Sequence, residues 1–279
     1  MKPALSRLLT LLLCLLLLPV AALMEDEVSL FGGDAPASTV SPSVPDAETE
    51  TPPAAESLPA VETPGSAADP AARDAFIDDM IALAQSLYQK ANGRAQKASS
   101  AGDIYVCKNF TVHLFRENRS DYRLAEFPEV ELRIPNNLPA KESKPYTYGI
   151  AWEEVAPEQG NPFYAAHSFY YDSELSAAQN REKAMAFMRE VKRGDFFQMS
   201  AKYYYGVGAH SAVFISDYDP ATNEVAWTDS NMKGESRNGV RYGYVQYDAR
   251  KDIGWFVDAF CQKGRGATLY RLRDDIIKR

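Results

Sequence analysis

The chain has 279 residues, 38 acidic against 30 basic side chains and a formal charge of −8, so it is long enough for a full hydrophobic core and too acidic to offer nucleic acid a basic face. Three cysteines are too few for a disulfide framework. The three histidines form no pair with cysteine at ligand spacing, so neither a metal nor another cofactor is expected.

Lys2 and Arg7 precede an apolar stretch from Leu8 to Leu18, followed by Pro19 and the small residues Ala21 and Ala22. This pattern predicts a secretory signal over residues 1–23, with an uncleaved anchor as the alternative reading. Either way the remainder faces outward, secreted or associated with the cell envelope, and membrane contact is confined to this segment. Residues 24–70 are rich in Ala, Pro, Ser, Thr and Glu, and from Glu25 to Pro70 there are ten acids and no Lys or Arg. Such a stretch cannot bury enough apolar surface to offset the entropy of ordering it, and a disordered linker is expected. Loss of Lys2 and Arg7 takes the charge from −8 to −10, which the ten linker acids match. The body, 71–279, is therefore near neutral, with no polybasic patch for anionic lipid, and a monomer is expected.

Within the body, residues 71–92 place Phe76, Met80, Leu83, Ala84 and Leu87 on one stripe, predicting an amphipathic helix that ends near Asn92-Gly93. A second helix is expected from an Asp103 N-cap to about Asn118. Residues 119–172 show little periodicity and read as irregular, part of an insertion over about 116–191. A third helix is expected over 174–192. Beyond Gly194 come strand-like runs at 195–199, 211–217, 224–229, 241–247 and 267–273, most with the alternation of half-buried antiparallel strands. Asp219-Pro-Ala-Thr-Asn223 reads as a turn, and a short helix from Lys251 to Cys261 precedes the last strand. The fold class expected is α+β, with N-terminal helices on a mainly antiparallel sheet of about five strands.

Cys107 falls in the first turns of the second helix, where unpaired N–H groups favour a thiolate. Two plainer readings compete: a bridge from Cys107 to Cys261, or a buried, inert thiol. Among the histidines, His113 lies six residues after Cys107, about 120° around a helix, so the two cannot share a face. His167 falls in the irregular segment. His210 opens the apolar run Ser-Ala-Val-Phe-Ile after Gly206-Val-Gly208-Ala, where its ring can project into a cleft. On the returning strand Asp229 and Asn231 point the same way, and either can orient the imidazole. Asn109-Phe-Thr and Asn118-Arg-Ser match a glycan acceptor pattern but fall on the Cys107 helix and are discounted.

Cys107-x-x-Phe at a helix start, Gly194-Asp195-Phe-Phe at a strand start, Ala-His210-Ser-Ala-Val-Phe-Ile and Asp229-Ser-Asn231, in that order, resemble the CHAP family and its NlpC-type relatives. The resemblance spans about residues 75–273. It implies a papain-like fold and a cysteine peptidase or amidase acting on peptide or amide linkages, with peptidoglycan or a peptide as substrate. Cys107 would then be the nucleophile, His210 the base, and Asp229 or Asn231 its orienter. The chain departs from the NlpC-type Asp-Cys-Ser-Gly in having Val106-Cys107-Lys108-Asn109, and its segment after the cysteine is longer than these families carry. The alternative is a non-catalytic envelope protein of the same fold that binds cell wall or a partner.

Overall fold

A computed structural model describes residues 70–98, 104–136, 150, 152, 155–203, 206–237 and 240–279. The expected signal, all but the last residue of the expected linker, Asp103 and the middle of the expected insertion lie outside these residues. The described part is α+β. Four α-helices, α1 (Pro70–Ala91), α2 (Cys107–Asn118), α3 (Ala177–Arg189) and α4 (Ile253–Phe260), accompany nine strands. These are β1 (Gln96–Ala98), β2 (Tyr122–Leu124), β3 (Phe163–Tyr170), β4 (Phe196–Tyr203), β5 (Gly206–Phe214), β6 (Glu224–Arg237), β7 (Val240–Asp252), β8 (Gly266–Leu272) and β9 (Ile276–Lys278).

Seven strands form one antiparallel sheet in the order β1-β7-β6-β5-β4-β8-β3, and β2 pairs with β9 separately. The sheet exceeds the five strands expected by β1 at one edge and, at the other, by β3, which lies in the segment over 119–172 expected to be irregular. That segment holds β2, a 3-10 turn at Pro157–Gln159 and the eight-residue β3, which closes the edge against β8. A register shift between Ala165 and His167 breaks the two-residue alternation of β3, which is why its sequence lacks a clean strand pattern.

Helices cover both faces of the sheet, so the central strands are not half-buried as their alternation suggests. On β4, Phe196 packs with Trp152 and Phe163 in the core beneath α1 and α2. Its neighbour Phe197 points to the other face and meets Phe214, Phe256 and Phe260 beside α4. β8 is buried along nearly its whole length for the same reason.

α1 buries Phe76, Ile77, Met80 and Ala84, a helical stripe, and leaves Leu83 and Leu87 partly buried at its margin. It ends where Asn92 and Gly93 take φ of 48° and 67°, the left-handed turn that the Asn-Gly pair announces. Burial of a side chain such as Phe76 contributes about 1.5–3 kcal/mol. α3 opens on a capping box between Ser176 and Gln179. Gly194 joins α3 to β4 at φ 86°, and a Cβ there would lie 2.6 Å from Ile77 Cδ1, so this glycine lets α1 approach the sheet.

Candidate active site

Cys107 is the first residue of α2, three positions later than a helix capped by Asp103 would start. The N-cap is Val106, whose side chain makes no capping hydrogen bond. That absence matters chemically, because the first N–H groups of the helix stay available to another acceptor. The thiolate of Cys107 uses one of them: the N–H groups of Ser211 and Lys108 both point at its sulfur.

The segment leading into α2 is held from below. Ser230 Oγ donates to the Tyr105 carbonyl at 2.9 Å, and Gly243 on the neighbouring strand lies so close that a Cβ would sit 2.2 Å from the same oxygen. α2 then packs over β5 and β6, with Phe110, Leu114 and Phe115 buried.

His210 lies on β5 where that strand parts from β6. The two strands pair at Val213 with Thr228 and at Phe214 with Trp227, and among the described residues the pairing does not reach His210. The imidazole fills the opening. Its Nε2 lies 2.8 Å from Asp229 Oδ2, and the ring hydrogen-bonds the Cys107 thiol. With Nε2 committed to the carboxylate, Nδ1 is the nitrogen left for sulfur. His210 is 2 % exposed and Asp229 fully buried, whereas Cys107 is only partly buried.

The electrostatics follow from this geometry. Burial pushes the Cys107 thiol up, but the hydrogen bond and charge of His210 and the two backbone N–H groups outweigh it and hold the thiol below its ordinary value. Burial disfavours an imidazolium at His210, yet Asp229 and Cys107 overcome that and push it up to about 10. Both shifts favour a thiolate–imidazolium pair over two neutral groups.

Between the two orienters that the sequence allows, the contact to His210 Nε2 is made by Asp229. Asn231 is buried two positions along the same strand, in register with Tyr244. Trp227 was not singled out by sequence: its Nε1 donates to Asp229 Oδ2 at 3.1 Å. Plain strand alternation would not have found it, since the register of β6 shifts between Trp227 and Asp229.

The remaining candidates lie elsewhere. His113 pairs with Glu117 at 3.4 Å along α2, and His167 on β3 lies 3.8 Å from Glu190. Cys107 and Cys261 are both free, which removes the bridged alternative. Burial raises the thiol of Cys261, the opposite of what a nucleophile needs. Asp195 of the Gly-Asp pair is buried and accepts from both Nε and Nη2 of Arg271 at 2.7 and 2.8 Å, a structural clamp between β4 and β8. Among the described residues no cluster of three or more His, Cys, Asp or Glu could hold a metal ion, and no helix is long and apolar enough to cross a membrane.

No family model, curated protein or solved structure matches this chain.

Proposed function

We propose that this chain is a secreted, papain-like cysteine hydrolase of the CHAP and NlpC kind, cleaving amide bonds in the peptide part of peptidoglycan. The observation that carries the reading is the contact chain Cys107, His210, Asp229, with the carboxylate 2.8 Å from the imidazole and the sulfur at a helix start. The cell-wall substrate rests on the resemblance of the ordered motifs and on the export signal read in the sequence.

In this reading the Cys107 thiolate attacks the amide carbonyl carbon, and the oxygen takes the negative charge beside the backbone N–H of Cys107. As the carbon–nitrogen bond breaks, the His210 imidazolium passes its proton to the departing amine, leaving a thioester on Cys107. Neutral His210 then removes a proton from water. The hydroxide adds to the thioester, the carboxylic acid leaves, and the thiolate–imidazolium pair is restored. Asp229 stays ionised throughout and holds the ring in place.

Digestion of purified peptidoglycan with wild type and with Cys107→Ala, followed by mass spectrometry of the products, tests the reading. New amine and carboxyl termini are expected with wild type alone. If iodoacetamide leaves Cys107 unmodified at neutral pH and no termini appear, the hydrolase reading is wrong and a wall-binding role on the same fold takes its place.

A further inference from the structure

Gln246 on β7 stands directly opposite Asp229 on β6. Side chains at directly opposed positions of an antiparallel pair leave the same face, with Cβ atoms about 5 Å apart. Asp229 Oδ1 and Gln246 Nε2 are both buried, and neither has a hydrogen-bond partner among the described residues. An ionised carboxylate oxygen can only accept and an amide nitrogen can only donate, so the two are complementary. Each carries a desolvation cost that pairing with the other would remove.

The surroundings favour that pairing. Thr228 Oγ1 donates to the Gln246 carbonyl at 2.7 Å, which ties the two strands together beside the pair. The other carboxylate oxygen, Oδ2, already takes His210 and Trp227. Among the described residues Oδ1 is therefore the unheld end of a side chain whose orientation sets that of His210.

We propose that Gln246 is a positioning residue: its amide turns about its outer torsions to donate to Asp229 Oδ1, fixing the far end of the chain Asp229, His210, Cys107. The inference deepens the hydrolase reading and rests on it. Gln246 touches neither substrate nor sulfur. It acts by keeping Asp229 from swinging away from the imidazole, and its amide dipole favours the negative charge that the assembled site carries.

Two measurements on the folded chain test this. In the isotope-labelled wild type, a through-hydrogen-bond coupling between Gln246 Nε2 and the Asp229 carboxyl carbon is expected, and its absence overturns the proposal. The second is the pH profile of Cys107 alkylation by iodoacetamide. Gln246→Met keeps length and loses the donor, so the rising limb should move up by about half a pH unit, a threefold loss of rate on that limb. Gln246→Glu carries an O–H donor only while protonated. It should follow wild type at low pH and depart from it as the side chain ionises, which a packing defect alone does not produce. An unshifted profile in Gln246→Met, with wild-type Cys107 reacting as a thiolate, overturns this inference and leaves the hydrolase reading standing. An ordinary thiol profile in wild type itself overturns both.

Discussion

Asp229 Oδ2 receives His210 Nε2 and Trp227 Nε1 together, so one oxygen carries both the orientation of the imidazole and its own tether. Asp229→Asn keeps the shape and removes the charge that raises His210. A loss of about 10²- to 10⁴-fold in kcat/KM on cell-wall fragments is expected, the range for disabling a general acid–base group. The proposed hydrolysis should have a pH dependence with two limbs, rising as Cys107 ionises, below its ordinary thiol range, and falling as the pH passes about 10 and His210 loses its proton. Cys107→Ala removes one of the two groups that raise His210, so an NMR titration should place the ring of that variant below the wild-type value. That Cys107, His210 and Asp229 come together was legible from their order, a thiol at a helix start, an imidazole opening the strand run His210-Ser-Ala-Val-Phe-Ile and a carboxylate on the returning strand. That Asp229 makes the contact to Nε2 was not legible, since Asp229 and Asn231 lie two apart on one strand and both read as able to reach the ring.

At the start of α2 the helix lacks a side-chain cap and rests on β6 and β7 through Tyr105. Gly243→Ala would drive a methyl group into the Tyr105 carbonyl oxygen. It is expected to cost about 1–3 kcal/mol in denaturant unfolding, as overpacking does, and to slow Cys107 alkylation severalfold by displacing the sulfur. Ser176→Ala is the matched control. It removes the capping box of α3, remote from Cys107, and should cost about 1 kcal/mol while leaving alkylation unchanged. The boundaries of α1, α3 and α4 could be read to within a few residues because each has a periodic apolar stripe and a recognisable end. The far half of β6 could not. Met-Lys-Gly-Glu-Ser-Arg has no alternating apolar residues, and Met232, Lys233 and Arg237 are strand because they pair with Gly243, Tyr242 and Val240 of β7 across a long hairpin. The three-residue strands β1, β2 and β9 are too short to carry any period.

Across the whole molecule, burial of the sheet on both faces makes the adjacent phenylalanines of β4, Phe196 and Phe197, serve two separate cores. Phe197→Ala would open a cavity against Phe214, Phe256 and Phe260, on the α4 face, at a cost of about 3–5 kcal/mol in denaturant unfolding. The strand order was beyond the sequence, since β8 slots between β4 and β3 and is far from both in the chain. The titration of the site also bears on global stability. His210 is raised on folding, so its contribution is fully present below about 6.5 and fades as the pH climbs through about 10. Cys107 is lowered, so its contribution is present above the ordinary thiol value near 9 and fades as the pH falls through the folded value. The two slopes oppose each other over the alkaline range, and the unfolding free energy should vary less there than either group alone would dictate.

The ladder between β5 and β6 stops short of His210, so the imidazole belongs to one group of strands and its carboxylate to the other, while the sulfur arrives on a helix laid across both. No contiguous stretch of the polypeptide holds a working centre by itself. A partly denatured form could retain intact hairpins on either side of this seam and still be chemically inert. In a guanidinium series, nucleophilicity toward iodoacetamide should therefore collapse before, or together with, the far-ultraviolet dichroism, never after it.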